Sequence, residues 1–271
     1  GAIHDSAQRY PPGKCHPGTR EEIIKAVLEW INDPDPSSDI LWIYGPVGVG
    51  KSAIMQTIAE LLREENIVRY AGSFFFARDV AGRDDGTCLF STLAYQIATN
   101  LPGMRALIND AMKIDQTLPT KSMDVQLKSL IVDPLALSSY FLHQPTIIID
   151  GLDECRDSFT QRHILSLISN AITDSRVPLR FLIVSRPESW ISDCFNKAPL
   201  FRLTKRISVG ESLDTYNDIR KYLKDGFAKI YSEHLDIMSG VALPWPSEEI
   251  INYFVKHASG QFIYASTVLK F

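Results

Sequence analysis

Gly45-Pro46-Val47-Gly48-Val49-Gly50-Lys51-Ser52 reads G-x-x-x-x-G-K-S without a substitution, and the residues on either side of it decide how the chain folds. Upstream, Ile40-Leu41-Trp42-Ile43-Tyr44 is a short, wholly apolar run, the composition of a parallel strand covered on both faces. Downstream, Ile54, Met55, Ile58, Leu61 and Leu62 recur at helical spacing, so Lys51 and Ser52 open an amphipathic helix. Strand, glycine-rich turn and helix in that order make a phosphate-binding loop. Gly45, Gly48 and Gly50 let the backbone turn tightly and leave successive N–H groups facing an anion, to which the helix N-terminus adds its partial positive charge. Lys51 then reaches the β- and γ-phosphate oxygens as a point charge, and the Ser52 hydroxyl is placed to ligate Mg²⁺. Pro46, Val47, Val49 and Ala53 complete the expected cradle.

A magnesium nucleotide site needs a carboxylate at the end of a neighbouring strand. Thr146-Ile147-Ile148-Ile149-Asp150 runs β-branched residues into an acid, so Asp150 is the expected metal-side aspartate. Asp153 and Glu154 follow in Gly151-Leu152-Asp153-Glu154-Cys155, and either can orient or deprotonate an attacking water; alternatively they cap the next helix. A third strand pattern, Leu179 to Val184, ends in Ser185-Arg186-Pro187-Glu188. In an open α/β sheet, ligands sit beyond the carboxyl ends of the strands, which aims Arg186 at the same crevice as Lys51 and Asp150. There its guanidinium can read a γ-phosphate, or it pairs on the surface with Glu188.

Strand patterns are expected at 40–44, 70–76, 145–150, 179–184 and 200–204. Helical patterns are expected near 19–32, 52–65, 88–101, 103–113, 121–131, 159–173 and 188–195. Alternation of this kind predicts an α/β fold: a three-layer sandwich with a central, mostly parallel sheet. Residues 1–17 read as a polar lead-in, and Asn32 to Ser38 as a turn. Beyond 212 the strand signals stop, and helical patterns at 213–230, 247–258 and 260–270 predict a small helical subdomain. The division is therefore 1–38, a segment and helix flanking the nucleotide site; 39–211, the P-loop core; and 212–271, the helical subdomain.

The 271 residues are 45% apolar and 10% aromatic, enough to bury one large core with a helical appendage. A formal net charge of −4, with basic residues scattered, offers no electrostatic basis for a nucleic-acid partner. No apolar run is long enough to span a membrane and no signal region precedes the core, so the expected location is the cytoplasm. Cys15, Cys88, Cys155 and Cys194 are too widely spaced for a metal knuckle or a disulfide framework, and the six histidines show no zinc-ligand spacing.

These segments together resemble the NACHT module of STAND-class signal-transduction ATPases, and more narrowly that of fungal NOD-like receptors. The resemblance is carried by Tyr44–Ile54, Phe74-Phe75-Phe76-Ala77-Arg78, Leu89–Ile97, Ile149–Cys155 and Val184–Glu188. Gly151 directly after the aspartate, with the acids displaced, is similar to the NACHT pattern rather than to AAA+ enzymes, whose glutamate adjoins the aspartate. Cys15-His16-Pro17-Gly18-Thr19-Arg20-Glu21 looks like the segment that lies near the base in this class, which makes Thr19 and Arg20 candidate nucleotide contacts; simple N-capping by Thr19 explains the same residue without a nucleotide. Phe262 stands where relatives carry a proline that contacts the base, and an aromatic ring there can still pack on a purine.

The resemblance implies a switch that holds ADP and exchanges it for ATP with Mg²⁺, oligomerising in a full-length protein with an N-terminal effector domain and C-terminal repeats. It also implies a role in fungal non-self recognition or regulated cell death. The chain stops within an apolar helical pattern at Phe271, which reads as a piece of something longer. The N-K-x-D guanine signature is absent, since Asn196-Lys197 continues into Ala198-Pro199, which favours adenine; guanine nucleotides stay open as ligands because NACHT proteins are not all adenine-specific. Three other readings are a P-loop kinase acting on a small molecule, a transporter or repair ATPase suggested faintly by Ser259-Gly260-Gln261, and a scaffold that retains nucleotide without turnover.

Overall fold

The computed structural model describes residues 1–34, 36–64, 69–138 and 143–271. Its strands are β1 (Ile40–Tyr44), β2 (Tyr70–Phe75), β3 (Thr146–Asp150), β4 (Arg180–Ser185) and β5 (Thr204–Ser208). They form one sheet in the order β2-β3-β4-β1-β5, with every neighbouring pair parallel. The helices are α1 (Glu21–Asn32), α2 (Lys51–Glu64), α3 (Leu89–Asn100), α4 (Met104–Ile114), α5 (Met123–Leu127), α6 (Asp133–Ala136) and α7 (Ser158–Thr173). They continue with α8 (Ser189–Phe195), α9 (Leu200–Leu203), α10 (Leu213–Glu233), α11 (Leu235–Met238), α12 (Glu248–Ala258) and α13 (Phe262–Val268).

Alternation along the strands sorts side chains onto two buried faces. Ile40, Trp42, Phe74, Ile147, Ile149, Phe181 and Ile183 point into one core, with residues of α3, α4, α7 and α8. Leu41, Ile43, Phe75, Ile148, Leu182 and Val184 point into the other, packed by α1 and α2. This is a three-layer α/β sandwich, with a sheet that is wholly rather than mostly parallel. A third, smaller cluster built on Ile219, Leu223, Phe227, Ile251 and Val255 ties α10, α12 and α13 together.

Two expectations are corrected. The fifth strand, expected at 200–204, begins only at Thr204; Leu200–Leu203 form the short α9. As an edge strand hydrogen-bonded to β1 alone and half-exposed, β5 can be polar, and Thr204-Lys205-Arg206 carries no apolar signal. The single helix expected over 121–131 is α5, a π-turn (Lys128–Val132) and α6, and the wider turn lies just ahead of Pro134, which has no N–H to continue an α-helical ladder. The polar lead-in packs on the sheet: the Phe75 N–H donates to the Ala2 carbonyl at 2.8 Å, Ala2 is buried, and the Arg9 guanidinium stacks 3.4 Å over the Phe75 ring. The turn expected over 32–38 includes residue 35, and the helix expected over 52–65 ends on residue 65; both positions lie outside the described residues.

Candidate functional site

Because every strand is parallel, the carboxyl ends of β1, β3 and β4 open on one edge of the sheet. The loop 45–50 leaves β1, Gly151 leaves β3 and Arg186 leaves β4. They converge on a cavity of about 400 Å³ whose opposite wall comes from the segment 13–20 and from α10 and α13. Of the residues singled out in the sequence, Thr19, Arg20, Val47, Gly48, Gly50, Lys51, Ser52, Ala53, Asp150, Asp153, Glu154, Arg186 and Phe262 line it. Gly45, Pro46 and Val49 do not line it and act through their backbone.

Each of those three has a visible task. A Cβ on Gly45 would lie 1.9 Å from the Val209 carbonyl oxygen, so only glycine lets the end of β1 pass the end of β5. The Gly45 and Pro46 carbonyls accept hydrogen bonds from Lys51 Nζ at 2.8 and 2.7 Å, which hold the ammonium across the loop. The Val49 carbonyl accepts from Arg20 Nη2 at 2.7 Å. Gly48 and Gly50 have φ of +78° and +90°, conformations that a side chain strains.

Asp150 is 3% exposed, and burial pushes its carboxyl up to about 6 against the opposing pull of the Ser52 hydroxyl, Arg9 and Lys51. Its Oδ1 is buried without a hydrogen-bond partner. An orphaned, desolvated carboxylate oxygen beside a serine hydroxyl fits a hard divalent cation such as Mg²⁺, whose remaining ligands are waters and phosphate oxygens. Among the described residues, no three His, Cys, Asp or Glu side chains gather as a metal cage, which is compatible with that sparse coordination. Burial also lowers the pKa of Lys51, opposed by Asp153 and Asp150.

The two acids beyond Gly151 differ. Asp153, 4% exposed, is committed: its Oδ1 accepts the Arg186 backbone N–H at 2.9 Å and its Oδ2 lies 3.0 Å from Arg186 Nε. Glu154 is half-buried, and its Oε2 accepts the Arg78 backbone N–H at 3.3 Å. Of the two, Glu154 is the carboxylate with capacity for water. Arg186 is paired with Asp153 rather than with Glu188, the partner considered from sequence.

On the opposite wall, Thr19 does not cap α1. Its hydroxyl donates to the His16 carbonyl at 2.7 Å, while Arg20, at φ +60°, is the N-cap residue. Arg20 is 5% exposed and bonded through both terminal nitrogens: Nη1 donates to Thr215 Oγ1 (2.8 Å) beside the Nη2 bond to Val49, its backbone N–H donates to Asp218 (3.0 Å), and its guanidinium lies 4.7 Å over the Phe262 ring, while Nε is buried without a partner. The Ile263 N–H donates to the Gly48 carbonyl at 3.1 Å, so α13 rests directly on the phosphate loop.

Sequence reasoning missed Tyr222 and Ser266, which also line the cavity, and gave the His16 side chain no role of its own. His16 Nε2 lies 2.7 Å from Asp225 Oδ2 and its ring packs edge-on against Tyr222 at 5.4 Å; the contact to His16 holds the Asp225 carboxyl below its usual range. The segment Cys15-His16-Pro17 was a signal for His16. Tyr222 had none, being one apolar position on an amphipathic helix.

Comparison with known proteins adds three findings. Solved structures with similar backbones include a Walker-type ATPase, PABY2304 of Pyrococcus abyssi, at 16% identity and a TM-score of 0.47, covering 92% of this chain and 70% of that one. The Aeropyrum pernix ORC2 protein, solved as ADPNP-ADP complexes, matches at 16% identity and a TM-score of 0.45 over 95% of this chain and 72% of that one. PCH-2 of C. elegans matches at 14% and 0.42, over 84% of this chain and 53% of that one. No curated protein matches the sequence. The family described as "Nephrocystin 3, N-terminal" matches residues 18–186, which run from the segment before α1 through the phosphate loop and the acid turn to Arg186. Since that match spans well over half of the sequence, the chain belongs to the nephrocystin 3 N-terminal family.

Proposed function

We propose that this chain is a nucleotide-binding switch module of the NACHT type, which binds ATP or ADP with Mg²⁺ and hydrolyses the triphosphate slowly. The observation that carries the reading is the wall shared between the phosphate loop and the helices at 212–271. Arg20 joins the Val49 carbonyl of the loop to Thr215 of α10, and Ile263 of α13 hydrogen-bonds Gly48. A ligand seated on the loop therefore bears on the helical subdomain, the linkage a switch needs.

Lys51 and the loop N–H groups would hold the phosphates, Ser52 and Asp150 would hold Mg²⁺, and Glu154 would orient the attacking water. Asp153 sets Arg186, whose guanidinium lines the same cavity and would read a γ-phosphate there. The base occupies the side of the cavity lined by Thr19, His16, Tyr222 and Phe262. That wall is aromatic and has no guanine-reading motif, which favours adenine and leaves GTP and GDP as weaker ligands. Mg²⁺, when bound, neutralises charge on the β- and γ-oxygens.

In a full-length protein this module would control nucleotide-dependent homo-oligomerisation between an N-terminal effector domain and C-terminal repeats, in the cytoplasm, as in the NOD-like receptors it resembles. Among the described residues no helix is long and apolar enough to cross a membrane. The test is to denature the purified protein, identify released nucleotide by chromatography, and follow Mg²⁺-dependent hydrolysis of ATP and GTP. Retained ADP with slow turnover supports the switch; an empty site with fast turnover that needs a small-molecule acceptor would establish the kinase reading instead.

A further inference from the structure

The turn that carries both acids is held from behind by a buried glutamine. Gln161, one turn into α7 and 3% exposed, uses every group of its amide. Its Nε2 donates to the carbonyl oxygens of Cys155 at 2.7 Å and Asp153 at 3.4 Å, and its Oε1 accepts the Trp190 indole N–H at 2.7 Å. An indole N–H only donates and a carbonyl only accepts, so these partners fix which end of the amide faces which. A glutamate at this position, though isosteric, would set a carboxylate against two carbonyl oxygens.

The two carbonyls it grips lie on either side of Glu154 in the chain. The turn itself is short: a single 3-10 turn (Leu152–Glu154) after Gly151 at φ +68°, closed by the Glu154 N–H donating to the Gly151 carbonyl at 2.7 Å. Trp190 is in the first turn of α8, four residues after Arg186. The contacts thus close a ring, from Arg186 to the Asp153 carboxylate, from the Asp153 and Cys155 backbone to Gln161, from Gln161 to Trp190, and back along the chain to Arg186.

We propose that Gln161 is a positioning residue for phosphate hydrolysis, which fixes the backbone around Glu154 so that its carboxylate faces the nucleotide cavity, and that Trp190 ties this placement to Arg186. The inference rests on the reading of Glu154 as the water-orienting acid. A misplacement of about 1 Å in such a group costs roughly 100-fold in rate, so a buried amide that touches no nucleotide has leverage on turnover. Nothing in the sequence around Gln161 signals this, because its partners are set by the packing of α7 against α8 and the end of β3.

The test compares the 271-residue chain with Gln161→Glu, Gln161→Met and Trp190→Phe, measuring Mg²⁺-dependent kcat and KM for ATP together with the affinity for a fluorescent ADP. The expected result is a fall in kcat of roughly 10- to 100-fold for both Gln161 variants, of the size supporting-shell changes produce. Trp190→Phe, which keeps an aromatic ring and loses only the N–H, is expected to show a smaller fall in kcat, with KM and ADP affinity held within about twofold for all three. Unchanged kcat in all three, with an active parent, overturns the positioning role and leaves hydrolysis standing. A parallel loss of ADP affinity and kcat also overturns it, because that is the signature of general damage. A parent chain that turns over neither ATP nor GTP defeats the hydrolytic reading and this role with it. If Gln161→Met melts before the assay temperature, Trp190→Phe decides.

Discussion

Asp153 holds Arg186 at two points, accepting its backbone N–H at 2.9 Å through Oδ1 and facing its Nε at 3.0 Å through Oδ2. The two residues leave adjacent strand ends, β3 and β4, so one carboxylate fixes both the direction in which the chain exits β4 and the placement of the guanidinium. An acid spent in this way is poorly suited to serve as a base. That separates the roles of two carboxylates which sequence spacing left equivalent.

Asp153→Asn is expected to lower stability by about 2 kcal/mol, the scale of a charge-assisted hydrogen bond made to a buried acceptor, while ADP binding persists. Glu154→Gln is expected to leave stability and ADP affinity unchanged and to lower kcat by roughly 100-fold or more. Urea unfolding and steady-state kinetics on the pair check this. Turnover that survives Glu154→Gln and vanishes in Asp153→Asn would reverse the assignment.

Gly48 should not tolerate a side chain. At φ +78° its Cβ would meet Ile263 Cγ2 at 2.4 Å, so Gly48→Ala both strains the loop, by about 1–2 kcal/mol, and pushes α13 off it. Faster ADP release is expected, measured by displacement of a fluorescent analogue. Adding Ile263→Ala should recover the part of the defect due to the clash and not the part due to φ. No recovery at all would mean that α13 does not rest on the loop in solution.

The pH dependence of the nucleotide-free protein should carry the mark of Asp150. Burial raises its folded-state pKa to about 6 from an ordinary value of 3.8, so between those pH values the folded state binds more protons than the unfolded. Stability from this group is greatest at low pH and is lost as pH rises through about 6. Asp150→Asn removes the penalty and is expected to stabilise the metal-free protein by roughly 2–3 kcal/mol at pH 7.5 and by little at pH 4. It should also abolish the Mg²⁺ dependence of nucleotide binding. Thermal melts at the two pH values give the answer, and equal effects at both would contradict it.

Arg20 is expected to matter for the helical subdomain more than for the ligand. Its guanidinium is spent on Val49, Thr215 and the face of Phe262, so Arg20→Lys, with a point charge in place of a planar fork, should not rescue it. Arg20→Ala and Arg20→Lys should both raise hydrogen exchange in α10 and α13 while leaving the sheet protected. Protection equal to that of the parent would remove Arg20 from the seam.

How much of this was legible in the sequence depends on the range of each contact. The phosphate loop, the strand ending in Asp150 and the strand ending before Arg186 are local patterns, and their backbone lies where periodicity put it. The bridge from Arg20 to Thr215 spans 195 residues and that from His16 to Asp225 spans 209, and no local pattern encodes either. Gln161 reads as an ordinary polar residue of an amphipathic helix until α8 brings Trp190 to it. The docking of the polar lead-in had no signal because its hydrogen bonds are made by backbone and by long polar side chains, such as the Arg9–Gln56 bond at 3.0 Å, rather than by an apolar stripe. Strand β5 was displaced in the reading because an edge strand with half-exposed faces needs no hydrophobic run.

The central claim is that a nucleotide seated on the Lys51 loop is what the cavity between sheet and helices exists to hold. Titrating a fluorescent ADP into the parent chain and into Lys51→Ala, each with and without Mg²⁺, tests it most directly. Saturable binding by the parent that Lys51→Ala loses, by roughly 100-fold or more for a phosphate-directed ammonium, is the expected result. Equal affinity in the two proteins would place the ligand elsewhere and contradict the assignment of the site.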